Sequence, residues 1–198
     1  MIKPNLFFPT PVWALQIENY KNINEEMYTY IKDHQKKDQI GINKSNVKGW
    51  HSKDFNLNDK EPKNFISFVM SHVEQVMLDM NWDKIRQIVK ISNMWAIVNK
   101  GGSANLRHQH GNSTISGAYY VRAPENCGDI IFYDPRPAPI YSHPNAISPN
   151  SLNAQINGIT PKEGALVLFP SYLDHSVNEN NSSNERIVIS FNIKVQMK

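Results

Sequence analysis

Residues 106–123 read LRHQHGNSTISGAYYVRA. Two histidines stand at i and i+2, a short turn follows, and then comes a run of β-branched, small and aromatic residues typical of a strand. The preceding Gly101-Gly102 pair marks a loop, so His108 and His110 sit at the mouth of the strand expected over 113–121. Imidazoles in this setting can turn toward one ion, and imidazole suits iron, zinc, copper and nickel.

Outward from this stretch, the C-terminal half continues as strands. IVKISNMWAIVN (88–99), STISGAYYVRA (113–123), DIIFYDP (129–135), ALVLFP (165–170) and RIVISFNIKV (186–195) are separated by Gly, Pro and Asn clusters. The N-terminal half reads differently. Residues 6–17 form a strand interrupted by Pro9 and Pro11, which suits a sheet edge. Residues 23–38 read as a helix with Asn24 as cap, Glu25 and Glu26 in its first turn, and Met27, Tyr30 and Ile31 on its apolar face. Residues 62–82 give the clearest helix, with Phe65, Phe68, Val69, Val73, Val76 and Met77 at helical spacing. Helices followed by a series of strands predict an α+β, mainly β, arrangement: a jelly roll, or double-stranded β-helix, with two or more N-terminal helices packed on one side. A single domain is expected over 1–198, with 1–87 as strand and helical part and 88–198 as β-helix core.

Composition narrows the function classes. The 198 residues are 40% hydrophobic and 20% charged, with a net charge of +3. The one basic cluster, His34-Gln35-Lys36-Lys37, reads as a solvated helix end, so no nucleic-acid partner is expected. The single cysteine, Cys127, excludes a disulfide framework and a Cys-rich metal site. No apolar run approaches the ~20 residues of a membrane span. The opening MIKPNLFFPTPVWALQ lacks a signal-peptide apolar segment, and a cytoplasmic setting is expected.

Of the seven histidines, His34 and His72 fall in helices and read as structural, while His51 and His143 fall in loops. His175 stands apart. It follows the apolar strand 165–169 and the turn Pro170-Ser171-Tyr172 and precedes the strand 186–195, a position that a jelly roll returns beside the first strand pair. Two ligands from one strand mouth and a third from a late strand leave coordination positions open, as in oxygen-activating non-haem iron sites. Arg186 follows His175 by 11 positions. If Arg186 opens an inward register, Val188, Ser190 and Asn192 share its face. A buried guanidinium needs an anionic partner, and a bound dicarboxylate would supply one.

Taken in order, LRHQH, STISGAYYV, GDIIFYDPR, LVLFPSYLDHSV and RIVISFN resemble the iron(II)/2-oxoglutarate-dependent dioxygenase superfamily over roughly residues 90–195. LFFPTPVW, SGAYYV, DPR and LFPSYLDH also resemble a branch of such oxygenases from marine bacteria and phages. The resemblance implies Fe(II) and 2-oxoglutarate as cofactors, a metal site of His108, His110 and His175, and hydroxylation of a C–H bond with release of succinate and CO2. It implies that Arg186 binds the far carboxylate of 2-oxoglutarate, that Tyr120, the second tyrosine of the YY pair, assists it, and that Asn192 and Asn99 are candidates for the cofactor's near end. The sequence departs from the superfamily at His110, where most members carry a carboxylate; the branch carries HxH as well. A cupin is the competing resemblance, and it implies a three-histidine metal enzyme that does not use 2-oxoglutarate; a barrel that only binds metal or another molecule, without catalysis, is the third reading. The long segments 39–60 and 136–152 are expected to shape a substrate entrance, with Trp50 and His51 lining it. The substrate would be a small molecule or a peptide, and the edge-like first strand is compatible with a homodimer.

Overall fold

A computed structural model describes residues 2–137 and 144–198. The chain forms thirteen elements among these residues: β1 (Trp13–Gln16), α1 (Lys21–Lys37), β2 (Asn46–Val47), β3 (Trp50–His51), α2 (Lys60–Asp79), β4 (Gln87–Asn99), β5 (Ala104–His108), β6 (Ile115–Arg122), β7 (Ile130–Tyr133), β8 (Ile156–Ile159), β9 (Ala165–Pro170), β10 (His175–Val177) and β11 (Arg186–Met197). The strands pair antiparallel in two sheets, a six-stranded one ordered β1-β9-β6-β11-β4-β3 and a five-stranded one ordered β2-β5-β10-β7-β8. This is the expected jelly roll, and no helix among the described residues is long and apolar enough to cross a membrane.

Strand alternation divides the molecule into layers. On the large sheet Met94, Ala96 and Val98 of β4, Tyr119 and Val121 of β6, and Ile187, Ile189 and Phe191 of β11 pack with Met27 and Ile31 of α1 and Phe65, Val69 and Val73 of α2. The opposite face contributes Ala118, Tyr120, Val167, Phe169 and Val188 to a second cluster, which Ile130 and Phe132 of the small sheet complete. One core therefore seats the helices and the other joins the sheets. Burying a side chain such as Phe191, which is 0% exposed, contributes about 2–3 kcal/mol. Gly117 makes room for it: a Cβ there would lie 2.3 Å from the Phe191 ring.

Several local expectations are corrected. Helix α1 begins at Lys21, so Glu25 and Glu26 lie beyond its first turn, and Tyr20 occupies the cap position. Asn24 lies inside the helix, 1% exposed. Its amide donates to the Val121 carbonyl at 2.9 Å and accepts from the Tyr119 hydroxyl at 2.6 Å, so it fastens α1 to β6. The first strand is only Trp13–Gln16, at the edge of its sheet as foreseen, and Leu6, Phe7 and Phe8 before it are exposed. The segment expected as a loop over 39–60 holds two-residue strands, β2 and β3, which are too short to show alternation. Strands β5, β8 and β10 were equally hidden. His143 lies outside the described residues.

Candidate metal centre

The two sheets open at one end onto a cavity of about 610 Å³. His108 ends β5 and His175 opens β10, and the two are directly paired residues of neighbouring strands. Their sequence neighbours brace the same junction from outside, Arg107 donating to Asp174 at 2.7 and 2.9 Å. His110 is held two residues beyond the end of β5, where its backbone N–H donates to the Ser171 carbonyl at 2.9 Å. One ring nitrogen from each histidine falls within 4.8 Å of those of the other two.

The hydrogen bonds fix the tautomers. Nδ1 of His108 lies 2.7 Å from the Leu106 carbonyl, and Nδ1 of His175 lies 3.0 Å from the Leu173 carbonyl. A carbonyl only accepts, so both Nδ1 atoms carry hydrogen and both Nε2 atoms keep a lone pair. Nδ1 of His110 lies 2.8 Å from both Asn192 Oδ1 and the Ser116 hydroxyl, and donation to Asn192 gives it the same tautomer. Nε2 of His110 then faces Nε2 of His108 at 3.3 Å. Two lone pairs pointed at each other repel unless a cation lies between them, which is the condition of a metal site. Burial pushes the imidazoles toward the neutral form that ligates: His175 is lowered to about 3 and His110 to about 4, and His108 is lowered as well.

Arg186, at the start of β11 and 1% exposed, lines the same cavity. Its Nη1 donates to the carbonyls of Cys127, Gly128 and Asn178, the last at 3.1 Å. Its Nη2 is buried with no hydrogen-bond partner. No carboxylate among the described residues forms an ion pair with it, and burial lowers its proton affinity below the usual guanidinium value. Asn178, whose carbonyl holds the guanidinium, follows His175 by three residues, about 10 Å of extended chain. The cation and the three histidines thus stand at two levels of one cavity.

Register arranges the cavity floor in rows. Tyr120 pairs with Val188, Val188 with Ile97, and Ile97 with His51, and all four line the cavity. Tyr120 and His51 therefore end a row three strand spacings long, about 14 Å. Tyr120 is 1% exposed, and burial raises its hydroxyl pKa, which keeps it a donor. At the other end His51 is 6% exposed and stacked on Trp95 with 6° between ring planes. Its Nδ1 donates to the Ser52 carbonyl at 2.6 Å, leaving Nε2 as an acceptor.

Not every sequence candidate reaches the cavity. Trp50 cannot share a face with His51, its neighbour in a strand; it turns into the helix-side core and donates through Nε1 to the Asp38 carbonyl at 2.7 Å. Asn99, 0% exposed, lies behind the wall and donates to Asn105 Oδ1 at 3.0 Å. Asn105 in turn donates to Ser45 Oγ at 3.3 Å, and Ser45 Oγ stands 3.4 Å from His108 Nε2. Asn192, expected beside the cofactor, is bonded to His110.

Comparison with known proteins gives this geometry a family. Residues 93–192, just over half of the chain, match the family model described as "Putative 2OG-Fe(II) oxygenase". The chain belongs to this 2OG-Fe(II) oxygenase family. No curated protein matches it by sequence. Among solved structures it is similar to a prolyl-4-hydroxylase of Pseudomonas putida, at 10% identity and a TM-score of 0.64 over 93% of this chain and 92% of that one. It is similar to the viral collagen prolyl hydroxylase of Paramecium bursaria Chlorella virus-1 in its 2OG complex, at 15% identity and a TM-score of 0.56 over 92% and 94%. HygX of Streptomyces hygroscopicus, solved with nickel and 2-oxoglutarate bound, gives 10% identity and a TM-score of 0.60 over 93% and 83%. At these identities the solved structures establish the fold.

A 2OG-Fe(II) oxygenase uses Fe(II) and 2-oxoglutarate, and the residues present fit both. The three Nε2 atoms form a nitrogen donor set acceptable to Fe(II). The unpartnered Arg186 Nη2 and the Tyr120 hydroxyl are donors in the same cavity, of a kind suited to a carboxylate. Sequence reasoning missed four polar contributors: Ser45, Asn105, Ser116 and Ser171. Only Ser116 left a trace, since it shares the alternation of Ala118 and Tyr120; the other three reach the site through pairings far apart in sequence.

Proposed function

We propose that this 2OG-Fe(II) oxygenase hydroxylates a C–H bond of a small polar molecule, using His108, His110 and His175 to hold iron and Arg186 with Tyr120 to hold the far carboxylate of 2-oxoglutarate. The observation that carries the reading is the buried Arg186 Nη2, which lacks a partner and belongs to the same cavity as the three histidines. Leaving a buried charge unpaired is costly, and a carboxylate accepting from its planar fork removes that cost.

When bound, iron and 2-oxoglutarate supply an oxidative decarboxylation that releases succinate and CO2. The chain's own residues do the positioning. Arg186 sets the depth of the cosubstrate because the Cys127, Gly128 and Asn178 carbonyls fix its guanidinium. Phe169, Ile130 and Val188 line the cavity and keep water from the reacting end. His51 and Trp95 form the opposite end of the floor, where His51 Nε2 can accept from a donor on the substrate. A cavity of about 610 Å³ holds a dicarboxylate and a small substrate, within the usual range for small-molecule sites.

Succinate release in the presence of Fe(II), ascorbate, oxygen and 2-oxoglutarate, without added substrate, tests the reading. Slow uncoupled succinate formation is expected from the wild type and is lost in Arg186→Ala at the same 2-oxoglutarate concentration. Equal succinate formation by the two proteins would remove Arg186 from the cosubstrate site.

A further inference from the structure

The three histidines reach the same tautomer by two different means. His108 and His175 each donate through Nδ1 to the backbone carbonyl two residues earlier, Leu106 and Leu173. No side-chain substitution removes such an acceptor. His110 depends instead on a side chain from the far end of the sequence, Asn192 on β11.

Asn192 is itself held. It is directly paired with Ser116 on β6, and the Ser116 hydroxyl lies 3.0 Å from its Oδ1. That hydroxyl is also 2.8 Å from Ser171 Oγ and 2.8 Å from His110 Nδ1. Ser116 and Ser171 are 0% exposed and Asn192 is 8% exposed, so little water is available to substitute for any member.

The cluster offers His110 two tautomers, and only one of them satisfies Asn192 Oδ1, 2.8 Å from Nδ1. In one, Asn192 Oδ1 accepts from both His110 Nδ1–H and Ser116, and His110 Nε2 is free. In the other, Ser116 donates to a bare Nδ1; Nε2 then carries the hydrogen and aims it at His108 Nε2, 3.3 Å away. The second state closes the cluster with an N–H···N bond and leaves no ligand on His110. A carboxylate in this position would have no tautomer to choose, so only a histidine creates the need for an arbiter.

We infer that Asn192 is the positioning residue that selects the metal-binding tautomer of His110 against the competing Ser116 donor. The inference rests on the three-histidine reading of the metal centre. It assigns Asn192 to the metal side of the cavity and not to 2-oxoglutarate.

Long-range ¹H–¹⁵N NMR of the metal-free protein reads the tautomer, and Co(II) titration followed by its visible absorption reads affinity. The wild type is expected to show protonated Nδ1 at His110. Asn192→Leu is expected to move the hydrogen to Nε2, to weaken Co(II) binding about 10–100-fold and to alter the Co(II) spectrum. Asn192→Asp keeps an acceptor at the same place and is expected to retain both the tautomer and an affinity within a few-fold of wild type. Should Asn192→Leu not fold, Ser116→Ala reads the same competition from the other side. Removing the competing donor leaves His110 in the Nδ1–H form, and conversion to Nε2–H there would overturn the inference. So would wild-type Co(II) affinity in Asn192→Leu, or equal losses in the Leu and Asp variants. If His110→Ala binds Co(II) as tightly as wild type, the three-histidine reading itself fails, which is a separate outcome.

Discussion

His108 and His175 are directly paired across neighbouring antiparallel strands, with ring centroids 4.3 Å apart. A strand pair therefore builds two thirds of the candidate metal site, and the loop residue His110 supplies the remainder. This order of dependence ranks the consequences of substitution.

Replacing His108 or His175 by Ala removes a ligand that the sheet itself aligns. Each variant is expected to lose metal at micromolar concentrations. His110→Ala is expected to weaken binding without abolishing it, because two aligned imidazoles remain. Metal content after dialysis against Fe(II) or Co(II), measured by elemental analysis, checks the ranking. Unchanged content in His110→Ala would exclude that residue as a ligand.

The histidines also govern how the metal-free protein responds to acid. Burial lowers His175 to about 3 and His110 to about 4, whereas an unfolded chain protonates both near 6.5. Between these limits the unfolded state binds more protons than the native state, so stability falls as the pH drops. The contribution is fully present above pH ~6.5 and declines toward pH ~4 by about 1.4 kcal/mol per pH unit for each histidine. Urea unfolding of metal-free protein at pH 7 and pH 5 reads the difference. A His175→Phe variant with the same pH dependence as wild type would contradict the assignment.

The helix-side core has a tight point at Gly117. A Cβ there would lie 2.3–2.7 Å from three carbons of the Phe191 ring. Gly117→Ala is therefore expected to cost about 1–3 kcal/mol, read as a shift in the denaturation midpoint. A Phe191→Leu partner substitution should recover part of the loss, and the absence of coupling between the two would place the strain elsewhere.

Much of this was legible in the sequence because it depended on local regularities. Strand alternation put Arg186, Val188, Ser190 and Asn192 on one face, and all four line the cavity. The distance of 11 positions between His175 and Arg186 connected two residues that line one cavity. What alternation could not reveal was length-limited or long-range. β10 has three residues and β3 has two, too few for a pattern. Recognition of β3 as a strand would have separated Trp50 from His51 at once. Asn24 suits a cap by residue type, yet its partner is the carbonyl of Val121, 97 residues later. Asn192 was placed correctly on the inward face, but its partner His110 lies on a loop whose path no periodicity describes.

Tyr120 offers a finer test of the cosubstrate end. A hydrogen bond to a charged acceptor contributes about 1.5–3 kcal/mol, so Tyr120→Phe is expected to raise the 2-oxoglutarate dissociation constant on the order of 10–100-fold. Isothermal titration with Mn(II) bound reads the value. An unchanged constant would return Tyr120 to a packing role.

The most direct measurement is an anaerobic titration of the Fe(II)-loaded protein with 2-oxoglutarate, followed in the visible region. A weak charge-transfer band that saturates in the wild type, and that in Arg186→Ala requires on the order of 10²–10³-fold more 2-oxoglutarate, is the expected result. Retained iron with no band in the wild type, or a band equally strong in Arg186→Ala, would contradict the pairing of a three-histidine iron site with Arg186 as the cosubstrate anchor.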